Sequence, residues 1–151
     1  IELQVQTLVE KLLISKEEGK AVRVDKLVKL FNTNLGQRLI KAYKLNLLKR
    51  EVPFHMEISS TEIDKNLPIE IYGEEKIMLQ GIIDCYFEEN GQIILVDYKT
   101  DFVKNGEVSS LIEKYKSQLD YYAKALEVTL GKEVKESYLY SFSADEEVEV
   151  K

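Results

Sequence analysis

The chain predicts an α/β fold in which helices flank a mixed β-sheet, and three observations predict it. Residues 1–48 carry apolar positions at helical spacing. From residue 49 onward the pattern changes to strand-like runs, two of which flank Asn90-Gly91. A long 3.6-period stripe then separates that hairpin from one last alternating run, so the order is helices, three strands, helix, strand.

The helical region comes first. Ile1–Glu18 repeats Leu3, Val5, Leu8, Val9, Leu12 and Leu13 on one side, and Ser15–Gly19 is read as its stop. Val22–Phe31 is a second short helix. Asn32-Thr33-Asn34 can cap a third that ends near Leu48. Arg38, Lys41, Lys44, Lys49 and Arg50 make this the one basic stretch, either a solvated face or a contact for a phosphate backbone.

The strands follow. Glu51–Ser59 places Val52, Phe54, Met56 and Ile58 on one side and Glu51, His55 and Glu57 on the other, with Pro53 pointing to a sheet edge or to the strand's first residues. Thr61–Glu75 is turn-rich, with Ile69–Tyr72 as a short strand. Lys76–Glu88 is a long strand in which Gly81 permits a bend or a close approach. Ile93–Val96 is apolar on both faces, which places its strand centrally. After a loop at Phe102–Glu107, Ser109 or Ser110 caps a helix that Gly131 ends. Val134–Phe142 is the last strand, and the acidic tail Ala144–Lys151 is expected to fray.

Composition bounds the function. With 151 residues and 44% hydrophobic content, the chain fits one domain, 1–151, with a helical segment over residues 1–48 and an α/β core over 49–151. A single cysteine excludes an internal disulfide, a multi-cysteine zinc site and a cysteine-held iron–sulfur cluster. It also fits a reducing cytoplasm. No apolar run is long enough to span a membrane, and the amphipathic start is no signal peptide. A net charge of -6 argues against a stand-alone nucleic-acid binder, though not against an enzyme whose DNA is delivered by another domain. A start inside a helix without a cap suggests a piece of a larger protein.

The hairpin permits register arithmetic. With Asn90 and Gly91 as the central pair of a two-residue turn, Glu89 faces Gln92, Phe87 faces Ile94 and Cys85 faces Val96. Asp84 then faces Asp97, and Lys99 shares their side of the sheet. Opposed carboxylates repel, so folding alone does not explain them; a divalent cation does. A generic metal-binding α/β domain remains the minimal reading.

Taken together, Gly81-Ile82-Ile83-Asp84, Asp97-Tyr98-Lys99-Thr100-Asp101 and Gln118-x-x-x-Tyr122 resemble the RecB-family nuclease domain of the PD-(D/E)xK superfamily. Arg50-Glu51-Val52-Pro53-Phe54 and Tyr138–Phe142 bring the resemblance closest to the C-terminal nuclease domain of AddA-type helicase–nuclease proteins. The resemblance implies a restriction-endonuclease-like core and a metal-dependent DNA exonuclease that processes double-strand breaks. Asp84, Asp97 and the Tyr98 carbonyl would bind Mg²⁺, with Mn²⁺ as a substitute. Lys99 would position or help deprotonate the attacking water. Gln118 and Tyr122 would flank the site, and Glu51 would lie near the metal. Implied partners are DNA, a helicase domain of the same polypeptide and a second nuclease-bearing subunit, with no membrane. The family's usual histidine ligand, in a Gly-Thr-x-x-His-type helix, has no counterpart here; His55 is an ordinary strand residue, and the histidine is expected upstream of Ile1. The alternatives are a non-catalytic interaction domain that kept the fold, against which the intact Asp84, Asp97 and Lys99 speak, and a CRISPR-associated nuclease. That second group commonly holds a cysteine-bound cluster, which Cys85 alone cannot supply.

Overall fold

The computed structural model describes residues 1–104 and 107–151; of the expected Phe102–Glu107 loop, residues 105 and 106 therefore lie outside the described residues. Four helices come first: α1 (Glu2–Glu10), α2 (Lys16–Ala21), α3 (Val24–Asn32) and α4 (Asn34–Lys44). The single helix expected over Ile1–Glu18 is two. Leu12 adopts a left-handed φ of 57° and breaks it. Ser15 then starts a helix rather than stopping one: its Oγ accepts from the Glu18 amide at 3.1 Å while the Glu18 carboxylate accepts from the Ser15 amide at 2.7 Å. Thr33 caps α4 by accepting from the Gly36 amide at 3.0 Å. Gly36 is required there, because a Cβ would collide with the Leu30 carbonyl. The helix α4 ends at Lys44, short of the expected Leu48.

The strands are β1 (Leu48–Ser59), β2 (Lys76–Glu89), β3 (Gln92–Lys99), β4 (Val134–Ser141) and β5 (Glu146–Glu149), and they form one sheet in the order β1-β2-β3-β4-β5. The β3–β4 pair is parallel, crossed over by α7 (Ser109–Leu130), and the other pairs are antiparallel. This is the mixed-sheet α/β architecture expected of a restriction-endonuclease-like core. The apolar run of β3 does lie at the sheet centre, and β1, with Pro53, is an edge. Asn90 and Gly91 have φ of 53° and 82°, the two positive values that a type I′ turn requires.

Three expectations are corrected. Ile69–Tyr72 is not a strand but a helical turn, α6, which follows the short α5 (Ser60–Ile63). Pro68 starts it with φ of -60°, and its carbonyl accepts from the Ile71 and Tyr72 amides. No serine caps α7: Ser109 is its first residue, Val108 is the N-cap, and the Ser110 hydroxyl donates to the Glu107 carbonyl. The acidic tail does not fray. It forms β5 against β4, Val150 joins the core, and Lys26 and Lys29 of α3 hold Asp145 at 2.8 and 2.6 Å.

The sheet is covered on both faces. One face buries Ile93, Leu95 and Leu139 against Leu111, Leu119, Ala123 and Leu126 of α7. The other buries Phe87, Ile94, Val96 and Tyr140 against Leu30, Leu35, Leu39 and Ala42 of α3 and α4. Arg38 ties α4 to this second face. Its guanidinium pairs with Glu89 at 2.9 Å and Glu136 at 2.7 Å and lies over the Phe87 and Tyr138 rings. Arg38 is therefore engaged inside the fold and is not a free contact for phosphate.

Arg38 also generates a stability prediction. Its hydrogen bond holds the Glu136 carboxyl below the usual carboxylate range. A depressed folded pKa contributes stability that is present above the ordinary glutamate pKa, about 4.3, and is lost as pH falls through the folded value. Arg38→Ala should cost about 2–4 kcal/mol at pH 7 by stranding two carboxylates and losing ring contacts. In urea titrations the difference between variant and wild type should shrink as pH drops below about 4.

Candidate active site

The β2–β3 ladder runs from Glu89↔Gln92 to Cys85↔Val96, in the register expected from the Asn-Gly turn. It then ends. Continuing the same count would set Asp84 against Asp97, but no backbone pair forms there. The Tyr98 amide instead donates to Asp84 Oδ2 at 2.9 Å. Strand β3 goes on pairing with β4 as far as Lys99↔Ser141. Strands β2 and β3 thus diverge at Asp84, and a side chain bridges the gap.

The β1–β2 ladder has its irregularity in the same row. It pairs Arg50 with Cys85 and Val52 with Ile83, but skips Glu51 and Asp84. Glu51 is left-handed, with φ of 51°, a costly conformation for a non-glycine residue. Side-chain alternation breaks across this row. Leu48, Cys85 and Phe87 pack on the α4 side, whereas Val52, Phe54 and Ile83 pack on the α7 side. An open cavity of about 730 Å³ lies at the break, lined by Leu48, Lys49, Arg50, Glu51, Asp84 and Tyr98.

Asp97 lies in the buried run of β3 and is only 2% exposed. Burial pushes its carboxyl up, the Lys99 ammonium opposes that, and the Asp84 carboxylate adds to it. Its Oδ2 is 2.6 Å from Lys99 Nζ yet accepts no well-aligned hydrogen bond. The separation makes an ion pair, but the angle leaves the lone pairs unsatisfied, as befits an oxygen with room for another electropositive partner.

Lys99 is held from α7. Its ammonium donates to Gln118 Oε1 at 3.0 Å, and Gln118 Nε2 donates to the Tyr122 hydroxyl at 2.7 Å. Gln118 and Tyr122 are four apart on one helix face, as their spacing requires. The Tyr122 ring meets Phe54 edge-on at 5.3 Å and 72°. Phe54 in turn lies over Gly81, where a Cβ would come within 2.9 Å of the ring. The close approach foreseen at Gly81 is thus an aromatic ring seated on the strand. One chain of contacts runs from β2 through β1 and α7 to the lysine.

Of the residues singled out from sequence, Asp84, Asp97, Lys99, Gln118 and Tyr122 are brought together, with the Tyr98 backbone between them. The Tyr98 ring is not, because it packs on the α4 side near Phe142. Glu51 reaches the cavity wall beside Asp84. His55 is exposed on β1, opposite Gln80. Burial pushes the Cys85 thiol up to about 11, which makes it a poor nucleophile. Sequence reasoning gave no role to Tyr115 or Asp101: the Tyr115 ring centroid is 3.9 Å from Lys99 Nζ, and the Tyr115 hydroxyl contacts Asp101. The signal was there, since Tyr115, Gln118 and Tyr122 share one helical face.

A divalent cation fits this donor set only incompletely. Two carboxylates and a backbone carbonyl are hard oxygen donors of the kind such ions take, and Asp97 Oδ2 is unsatisfied. Among the described residues, no three His, Cys, Asp or Glu side chains converge as a complete ligand cluster. No helix among them is long and apolar enough to cross a membrane.

Comparison with known proteins gives the same picture. A family model described as the PD-(D/E)XK nuclease superfamily matches residues 2–150. The A-type subunit of an ATP-dependent helicase/nuclease from Clostridium novyi (strain NT) is 53% identical over 151 residues, which is 100% of this chain and 12% of the relative. The protein of the same description from Clostridium kluyveri (strain NBRC 12016) is 52% identical over 145 residues, 96% of this chain and 11% of the relative. That of Thermoanaerobacter sp. (strain X514) is 46% identical over 142 residues, 94% of this chain and 11% of the relative. The chain thus spans only 11–12% of the length of these relatives. A mixed sheet whose strands diverge at an aspartate, an Asp-x-Lys on the central strand and a family match over nearly every residue agree: the chain belongs to the PD-(D/E)XK nuclease superfamily.

Proposed function

We propose that residues 1–151 are the phosphodiester-hydrolysing domain of a helicase–nuclease, cutting DNA strands delivered by a motor domain of the same polypeptide. The observation that supports this best is Lys99 Nζ, fixed 2.6 Å from Asp97 and 3.0 Å from Gln118 where β2 and β3 diverge. The physiological setting is processing of broken DNA ends alongside a second nuclease-bearing subunit. The relatives' description as ATP-dependent helicase/nuclease subunits supports that setting. With DNA fed in by a motor, a net charge of -6 is tolerable.

In the reaction, water adds to phosphorus while a sugar oxygen leaves. Asp84, Asp97 and the Tyr98 carbonyl would hold a divalent cation, Mg²⁺ or Mn²⁺, which when bound supplies charge neutralisation at the phosphate and makes water more acidic. Lys99 helps position the attacking water, whose proton passes to solvent, and donates to the charge that builds on the phosphate oxygens, where a fixed donor helps most. Gln118 orients Lys99, and Tyr122 orients Gln118. Glu51 lines the cavity wall beside Asp84, and its carboxylate would add negative charge near the cation.

Two measurements test this. Calorimetric titration with Mg²⁺ or Mn²⁺ should show binding to the wild-type chain and at least a roughly tenfold weaker response in Asp97→Ala; equal binding by both would remove the metal site. DNA degradation should be followed with the chain alone and with a chimera in which it replaces the matched segment of the Clostridium novyi relative. Lys99→Ala should slow the chimera by about 10²–10⁴-fold, the range of a positioned proton-transfer or charge-stabilising group. An unchanged rate would reject the mechanism.

A further inference from the structure

Asp101 closes the Asp-Tyr-Lys-Thr-Asp run, yet it has no role in the metal site or in the Gln118–Tyr122 contact. Its carboxylate points to α7. The Tyr115 hydroxyl lies 2.9 and 3.0 Å from its two oxygens, and Lys114 Nζ lies 2.6 Å from Oδ1. The Tyr115 ring, held from its far end, presents a face to Lys99 Nζ at 3.9 Å from the centroid. A cation over an aromatic face at this range is attracted by the ring quadrupole.

We propose that Tyr115, braced by Asp101, is a positioning residue that holds Lys99 in its working place. The proposal rests on the nuclease reading for the role of Lys99. Three groups surround the ammonium: Asp97 Oδ2, Gln118 Oε1 and the Tyr115 ring. Lysine has a flexible four-carbon stem, so its placement depends on such partners. The three differ in what competes for them. Asp97 is also the carboxylate a divalent cation would take. A hard cation takes oxygen ligands and a phosphate takes hydrogen-bond donors, so neither competes for the ring, and its hold on Lys99 persists when Asp97 is otherwise engaged. The brace explains why a tyrosine stands here and not merely an apolar ring. Asp101 is two residues beyond Lys99 on the same chain, and the hydroxyl bond therefore locks the ring against the end of β3. Tyr115 is also three residues before Gln118, so one turn of α7 supplies both the polar and the aromatic hold.

The test combines kinetics with a spectroscopic readout that needs neither metal nor turnover. In the metal-free 151-residue chain, the ε-methylene protons of Lys99 should show an upfield ring-current shift by NMR. The shift should shrink in both Tyr115→Phe and Asp101→Ala, each of which removes the hydroxyl–carboxylate bond, and vanish in Tyr115→Leu. In the chimera, Tyr115→Leu should lower kcat about tenfold with KM changed less than about twofold, and Tyr115→Phe, which keeps the ring but loses the brace, should fall between Tyr115→Leu and wild type. A Lys99 resonance that is the same in wild type and Tyr115→Leu overturns the proposal, as does a kcat within about twofold of wild type. Should Tyr115→Leu fail to fold, Asp101→Ala and Tyr115→Phe decide: a reduced shift in both supports the brace, and an unchanged shift in either rejects it. Full activity in Lys99→Ala would reject the role that the nuclease mechanism gives Lys99 while leaving the wild-type ring-current shift intact, so the two failures are distinguishable.

Discussion

The hydrogen bond from the Tyr98 amide to Asp84 Oδ2 is the contact on which the rest of the site depends. A strand that leaves its neighbour must place its amides elsewhere, since a buried unpaired N–H costs about as much as a lost hydrogen bond. Here the partner is a carboxylate from the departing strand itself. The same bond lets β2 turn away and keeps Asp84 beside β3. Separation and proximity are thus produced by one interaction, and Asp84 is close enough for its charge to raise the Asp97 carboxyl.

Rigid surroundings keep that geometry. On one face Arg38 locks α4 to the ends of β2 and β4 through two carboxylates and two rings. On the other, Gly81, Phe54, Tyr122 and Gln118 form a packed relay to Lys99. The left-handed Glu51 makes both arrangements possible at once. Because alternation reverses there, β1 and β2 give Leu48, Cys85 and Phe87 to the α4 side and Val52, Phe54 and Ile83 to the α7 side. Residues held by packing on strands and helices are placed more closely than loop residues, and Lys99 takes its support from such elements.

Local chemistry is legible in the sequence, and non-local chemistry is not. Asn90-Gly91 sets its own register, so the approach of Asp84 to Asp97 follows by counting. The central place of β3 follows from an apolar run too dense for an exposed strand. Ser15 misleads because the same residue type ends one segment and caps the next; only the reciprocal Glu18 contact decides. The strand β5 escapes notice because the acidic turn before it is neutralised by α3 lysines more than a hundred positions away. Arg38 looks like a basic surface residue for the same reason, since its partners Glu89 and Glu136 are distant in the chain. The reversal at Glu51 has no sequence signature, because a left-handed glutamate is imposed by the two strands around it and not by its own preference.

Asp97 carries the balance between folding and chemistry. A carboxylate at 2% exposure is expensive, and a single lysine whose hydrogen bond is poorly aligned repays it incompletely. The nearby Asp84 makes matters worse. A sequence selected for stability alone would place an apolar residue in this run, between Val96 and Tyr98, as it does at the four preceding positions. Two carboxylates kept close, one of them buried and under-satisfied, are what the proposed divalent cation, shared between them, would account for. The same reasoning assigns the lysine its second task. With Asp97 given to that ligand in the proposed reaction, Lys99 would be held by groups that the ligand does not contest, and α7 offers both of them from a single helical turn.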